Sequence, residues 1–263
     1  MLDAYFRRIN YAGPRQTTVE TLEAVHLAHA STIPFENLEV LMDRTPNLEL
    51  DGIVAKLVEA RRGGYCFEHN TLLAAVLRQL GFKVTELGAR VRLSGRLLPR
   101  THMCLLVEAE GRSFLADVGF GAELLSPVAL RVGCESTQFG RRYRLIREGQ
   151  LWVLQRLEPE PGDLYAFTLE PQHPVDFVMA NHFTATHPSS IFRHVLTVQR
   201  PHPEVRYNLH NDVFRVHQDG QTETRPVRDA AEFGRLLEDF FGIRPEAAMI
   251  SVYERFRTTS QDP

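Results

Sequence analysis

Cysteine is scarce in this sequence, and lysine is nearly absent. The three cysteines, at 66, 104 and 134, are too few and too far apart for a disulfide framework and suit a reducing compartment. Lys56 and Lys83 are the only lysines, yet 30 basic residues stand against 33 acidic ones, net −3. That balance gives no reason to expect a nucleic-acid or anionic-membrane partner. No apolar run approaches the roughly 18 residues of a membrane span. The first eleven residues carry Asp3, Arg7 and Arg8 in place of a signal-peptide core, so a cytoplasmic location is expected. Internal repeats, low-complexity stretches and glycine-rich phosphate loops are also missing.

What remains is an ordinary globular composition, 43% hydrophobic and 24% charged over 263 residues. A chain of this length buries about 70 to 75% of its unfolded surface, which leaves room for an enclosed site. The first part reads as helices. Thr17 and Glu20 form a capping box ahead of a helix over 19–30, and a second helix from about residue 51 is expected to stop at Gly63-Gly64. A third starts at or near Cys66, keeps Leu73, Val76, Leu77 and Leu80 on one face, and closes at Gly81. From Lys83 the period becomes two. Strands are predicted over 84–92, 103–107, 113–118, 143–147, 150–154 and 165–169, with hairpin tips at Glu110-Gly111 and Glu148-Gly149, forming a curled antiparallel sheet or small barrel. Strands over 195–199, 213–217 and 222–225 follow, with a turn at Asp219-Gly220. Last comes a helix opened by Asp229 and Glu232 and closed by Gly242. The expected organisation is an α+β chain of three segments, 1–82, 83–187 and 188–263.

Cys66 is the first candidate for chemistry. Two glycines deliver the chain to it, and the free N–H groups of the helix that begins there point at the sulfur. The dipole is worth only about 0.3 to 1 kcal/mol, too little to ionise a thiol at pH 7, so a histidine partner is required. A two-residue tip at Glu110-Gly111 sets Ala109 opposite Arg112 and Cys104 opposite Asp117, which puts His102 and Asp117 on one face as diagonal neighbours about 7 to 8 Å apart. Nucleophile, base and orienting carboxylate then form a Cys66, His102, Asp117 triad. His69, three residues after Cys66, is the rival base, with only Glu68 beside it as an orienter. A zinc site would draw on Cys66, His69, His102 and Cys104, but neither pair has zinc-site spacing, so no metal is expected. Cys104 and Cys134 read as small buried hydrophobes, and His26 and His29 as surface or satisfied core residues.

The run Arg62-Gly63-Gly64-Tyr65-Cys66-Phe67-Glu68-His69-Asn70 resembles the R-G-G-x-C-x-E-x-N signature of the bacterial arylamine N-acetyltransferases. Ile33-Pro34-Phe35-Glu36-Asn37, Thr101-His102-Met103, Asp117-Val118-Gly119-Phe120-Gly121 and residues 181–192 with Ser189-Ser190 resemble that family's other blocks, in the same order over nearly the whole chain. The resemblance implies a helical bundle, an antiparallel β-barrel and an α/β lid, a fold related to the papain-like cysteine proteases. It implies acetyl-CoA as co-substrate and an arylamine or hydrazine as acceptor, with Cys66, His102 and Asp117 as the triad. Thr101, Phe120 and Gly121 match positions that contact the pantetheine arm, Gly121 by letting the coenzyme approach the backbone. Phe35, Phe67, Phe120 and Phe192 match positions lining the acyl and amine pocket. Arg62 and Glu68 are expected to form a buried ion pair, and Asn70 to fix a loop by hydrogen bonds. The coenzyme's phosphates must be held by groups other than a glycine-rich loop. A polyketide amide synthase, or a cysteine hydrolase with water as acceptor, would use the same triad.

Overall fold

The computed structural model describes residues 1–259, so residues 260–263 of the expected third segment lie outside it. The chain opens with helices α1 (Leu2–Arg8) and α2 (Val19–Thr32), then a two-residue strand β1 (Phe35–Glu36) and short helix α3 (Leu38–Leu41). Next comes α4 (Leu50–Ile53), which widens into a π-helical stretch Val54–Glu59, and then α5 (Cys66–Gln79). The α2 cap lies one residue later than expected: Thr18, in extended conformation, accepts from Thr21 N, so Thr17 and Glu20 form no box. Nor do Gly63 and Gly64 stop the second helix. It ends at Glu59, and Arg61 turns the chain with φ +54. The glycines serve close packing, since a Cβ would lie 2.1 Å from Pro34 O at Gly63 and 2.5 Å from Glu68 Oε2 at Gly64.

Eight strands follow: β2 (Lys83–Val91), β3 (His102–Ala109), β4 (Arg112–Ala116), β5 (Val128–Ala129), β6 (Glu135–Gln138), β7 (Arg141–Glu148), β8 (Leu151–Glu158) and β9 (Gly162–Pro171). They form one antiparallel sheet in the order β5-β4-β3-β2-β9-β8-β7-β6. Its two edges approach each other where Gln138 of β6 accepts from Leu125 N and Ser126 N and donates to Ser126 O, just ahead of β5. The sheet is thus a nearly closed barrel, filled by Leu87, Ala89, Cys104, Leu145, Leu154, Tyr165 and Phe167. The β3–β4 register is the expected one, with Ala109 opposite Arg112 and left-handed φ values of 51° and 72° at Glu110 and Gly111. At the β7–β8 turn Glu148 itself pairs with Leu151, so the tip is Gly149-Gln150 and not Glu148-Gly149.

Helix α6 (Pro174–Thr186) and a 3₁₀ turn (Ile191–Arg193) lead to strands β10 (Thr197–Pro201), β11 (Val205–His210), β12 (Val213–Gln218) and β13 (Gln221–Pro226), then to α7 (Ala230–Phe241) and α8 (Ala247–Thr259). Asp229 caps α7 by accepting from Glu232 N, and left-handed Gly242 closes it. The second sheet runs β1-β10-β11-β12-β13, so a strand from the N-terminal helical part forms its edge. Phe214, Leu237, Phe241 and Tyr253 fill the core between this sheet and its helices. A separate core of Leu22, Val25, Leu57, Leu73 and Leu77 binds the N-terminal helices to the barrel, and Phe177 and Ala185 of α6 join it. Among the described residues no helix is long and apolar enough to cross a membrane.

Candidate active site

Cys66 is the first residue of α5 and is 4% exposed. Its approach loop is bound on one side to β1, with Glu36 N bonded to Gly64 O at 2.8 Å and Gly64 N to Pro34 O at 3.3 Å. On the other side, Tyr65 N donates to Glu68 Oε2 at 3.1 Å. Charge pairing beneath the loop differs from expectation, because Arg62 does not meet Glu68. The Arg62 guanidinium binds Glu36 Oε1 at 2.7 and 3.1 Å and reaches Glu39 at 3.4 Å, whereas Glu68 pairs with Lys56 at 2.8 Å. Arg62, Glu36 and Glu68 are buried and Lys56 is largely so, which means that each charge is balanced by a partner and not by water. Burial opposes the charge on Lys56, and Glu68 with Glu36 holds its pKa above the ordinary lysine value.

The β3–β4 hairpin brings in the other two members of the set. His102 Nε2 lies 2.8 Å from Asp117 Oδ2, both side chains being buried. Asp117 is in turn held by Asn70 Nδ2 at 2.9 Å and by Gly119 N at 2.9 Å, both donating to Oδ1, while its own N–H donates to His26 Nε2 at 3.2 Å. Asn70 also donates to Met103 O and accepts from Val118 N, so it clamps α5 to both strand ends, the loop-fixing part expected of it. Burial alone would make His102 less basic, but Asp117 and then Cys66 favour its cation and push its pKa up to about 10. The same pairing, against burial, keeps the Asp117 carboxyl below its ordinary range. With Nε2 committed to Asp117, Nδ1 is the ring nitrogen left clear of that carboxylate.

Gly119 is what lets these elements meet. A Cβ there would stand 2.6 Å from the Cα of Cys66 and 2.8 Å from Asn70 Nδ2. Thr101 adjoins Cys66, its carbonyl 3.7 Å from the sulfur. The Phe120 ring packs edge-on against His102 at 4.8 Å, and Tyr165 of β9 lies 4.7 Å from the same imidazole. Phe35 sits 6.0 Å from Phe192, which is also 6.0 Å from Tyr65, so these three rings form one cluster. Phe67 is fully buried between Tyr65 and Phe177 and belongs to the helical core behind that cluster. The space that Gly121 leaves is filled from within the protein: a Cβ there would lie 2.2 Å from Gln199 Oε1. A cavity of about 430 Å³ beside the β2–β3 loop is lined by Arg90, Arg92, Arg96 and Arg100, the last adjoining Thr101.

His69 is bonded on the side of the helices, away from Asp117. Its Nδ1 is bonded to His29 Nε2 at 2.9 Å and its Nε2 to Pro34 O at 3.1 Å, and burial lowers its pKa to about 4. Of the lesser cysteines, Cys104 is buried in the barrel, but Cys134 is half-buried and so is not the enclosed hydrophobe expected. Among the described residues no group of three or more His, Cys, Asp or Glu side chains is placed to hold a metal ion. Tyr65, Tyr165 and Gln199 escaped sequence reasoning. A register argument carried across β2 to β9 would have brought Tyr165 near His102, but a bulge between Leu87 and Ala89 shifts that pairing.

Comparison with known proteins agrees with this geometry. The sequence profile of the N-acetyltransferase family matches residues 18–250. The arylamine N-acetyltransferase of Escherichia coli is 42% identical over 249 residues, covering 92% of this chain and 89% of that protein. The solved structure of the Salmonella typhimurium arylamine N-acetyltransferase superposes with a TM-score of 0.91 at 38% identity, over 97% of this chain and 98% of that one. That of the Mycobacterium marinum enzyme in complex with CoA does so with 0.92 at 33% identity, over 97% and 99%. A cysteine at a helix start, a buried imidazole and carboxylate on the adjoining hairpin, and likeness along almost the whole length lead to one assignment: this chain belongs to the arylamine N-acetyltransferase family.

Proposed function

We propose that this protein transfers an acetyl group from acetyl-CoA to the nitrogen of an arylamine or arylhydrazine through an acetyl-Cys66 intermediate, in the cytoplasm. The observation that carries the mechanism is the buried His102–Asp117 contact of 2.8 Å beside Cys66 at the start of α5. An imidazolium on His102 stabilises negative charge on the sulfur. The sulfur attacks the thioester carbonyl of acetyl-CoA, and the first amides of α5, which have no intrahelical acceptor, face the oxyanion. CoA leaves with the proton of His102. The amine then attacks the acetyl-Cys66 carbonyl and gives its proton to the neutral imidazole, the C–S bond breaks, and the ion pair is restored.

Arylamines are neutral at pH 7 and therefore competent nucleophiles, and the part-exposed rings of Phe192 and Phe120, with Phe35 packed against Phe192, offer them apolar contacts. In the arginine-lined cavity Arg92 is neutralised by Glu148 and Asp163, and Arg100 is paired with Glu170 at 3.6 Å, which leaves Arg90 and Arg96 as the cations we assign to the coenzyme's phosphates. Mixing enzyme with acetyl-CoA and no amine should release about one equivalent of CoA in a burst and then slow, because a closed site limits water at the thioester. Intact mass should then show one acetyl group on Cys66, and added arylamine should restart turnover. Steady CoA release that arylamines do not accelerate would mean a hydrolase.

A further inference from the structure

The loop that leaves Asp117 is fastened at its far end from the second sheet, where Gln199 of β10 accepts from Ala122 N and Arg206 of β11 donates to Ala122 O at 3.2 Å. Gln199 stands on β10 directly opposite Phe35 of β1. Its Oε1 accepts from Ala122 N at 2.8 Å, and its Nε2 donates to Thr197 Oγ1 at 3.2 Å, so each end of the amide has a partner of the right kind. Gly121 makes the contact possible twice over: its φ is +62°, and its missing Cβ is the space that Oε1 fills. At the near end the loop is held by Gly119 N on Asp117 Oδ1 and by Val118 N on Asn70 Oδ1. Between the two fastenings sits Phe120, whose ring stands edge-on to both His102 and Tyr165. The near fastening belongs to the triad itself, whereas the far one comes from another sheet.

We propose that Gln199 is a positioning residue for acyl transfer, holding Phe120 over the His102 imidazole and so keeping water from the acetyl-Cys66 thioester. This inference rests on the acetyl-enzyme proposed above. Amine and water compete for the same carbonyl. In either case a new bond forms to the acetyl carbon, the C–S bond breaks and His102 takes the proton, giving the acetylated amine or acetate. Loosening Phe120 opens the imidazole to water without removing any atom that reacts. The share of acetyl groups lost as acetate therefore rises.

The test compares the wild type with Gln199→Leu, Gln199→Glu and Gly121→Ala by burst amplitude, amine-free CoA release after the burst, and acetylated amine formed per CoA released. Gln199→Leu removes the acceptor for Ala122 N at similar volume. It should keep a burst near one equivalent, raise the later amine-free release on the order of tenfold, the worth of one lost hydrogen bond, and lower the yield per CoA. Gln199→Glu keeps an oxygen for Ala122 N and should restore coupling, a rescue that a purely structural role would not show. Gly121→Ala approaches from the other side, displacing the glutamine with a methyl, and should raise release as well. Unchanged amine-free release and unchanged coupling in whichever of Gln199→Leu and Gly121→Ala folds overturns the inference. A wild type with no burst would instead sink the acetyl-enzyme, and this inference with it.

Discussion

Lowering the pH from 7 to 4 should unfold this protein through buried histidines other than His102. Tyr5, His29, His69 and Pro34 form one buried hydrogen-bonded chain. A carbonyl can only accept, so His69 Nε2 donates to Pro34 O, His69 Nδ1 accepts from His29 Nε2, and His29 Nδ1 accepts from the Tyr5 hydroxyl. Both rings are neutral in this arrangement, and one more proton would reverse the chain and leave the buried Tyr5 hydroxyl without an acceptor. Burial lowers His69 and His26 to about 4 and takes His29 well below its ordinary value. In the unfolded chain all three take up protons near pH 6.5. Because the folded pKa is the lower one, the stability these residues confer is complete above pH 6.5 and is lost as the pH falls toward 4. A gap of some 2.5 units is worth about 3 kcal/mol for each of His26 and His69, together a large part of the 5 to 15 kcal/mol of a typical domain. His102 has the opposite sign: raised to about 10, its contribution is complete below pH 6.5 and is lost as pH rises through 10. Denaturant titrations followed by circular dichroism at pH 7.5, 6, 5 and 4.5 should show the acid fall, and His69→Gln should remove about 3 kcal/mol of it. Stability that stays level from pH 7.5 to 4.5, or a fall of equal size in His69→Gln, would refute the reasoning.

Asp117→Asn should remain folded and lose activity by a factor on the order of 10⁴, the serine-protease precedent, because asparagine favours the wrong tautomer and cannot balance an imidazolium; near-normal kcat would exclude the orienting role. Cys66 should be the thiol that iodoacetamide alkylates fastest, with loss of activity, since burial pushes the Cys104 thiol well above its ordinary pKa. Peptide mapping that places the early label on Cys104 or Cys134 would remove the nucleophile assignment. A double-mutant cycle in stability should couple Arg62 to Glu36 by several kcal/mol and leave Arg62 and Glu68 nearly additive, because a broken buried pair strands a charge. The reverse pattern would contradict the pairing seen here.

The meeting of His102 and Asp117 was legible because it rests on a short hairpin. Glu110-Gly111 can take the left-handed turn, and once it does, every pair down to Leu105 and Ala116 is fixed by counting. Helix α5 was legible from its apolar stripe and Gly81. Helix α6 was not, since the face it buries mixes Phe177 and Ala185 with Asn181 and Thr184, which breaks the hydrophobic period. The partner of Arg62 was misread for a related reason. Glu68 is close in sequence, whereas Glu36 is 26 residues away on a strand that exists only once the second sheet has formed. Gly121 was read as room for a ligand, and nothing local could reveal that Gln199, on another sheet, fills it.

That dependence on distant partners bears on the protein's biogenesis. Asn37, at the end of β1, donates to Phe192 O and Val195 O and accepts from Thr197 N, the last across 160 residues of chain. At 5 to 20 residues per second, a ribosome needs roughly ten to thirty seconds to make that stretch. Throughout this interval β1 has only the Gly64 segment beside it, and its other edge stays open for β10. The second sheet therefore closes only when synthesis has passed β10, and until then the N-terminal part carries an open strand edge for its own later half to claim.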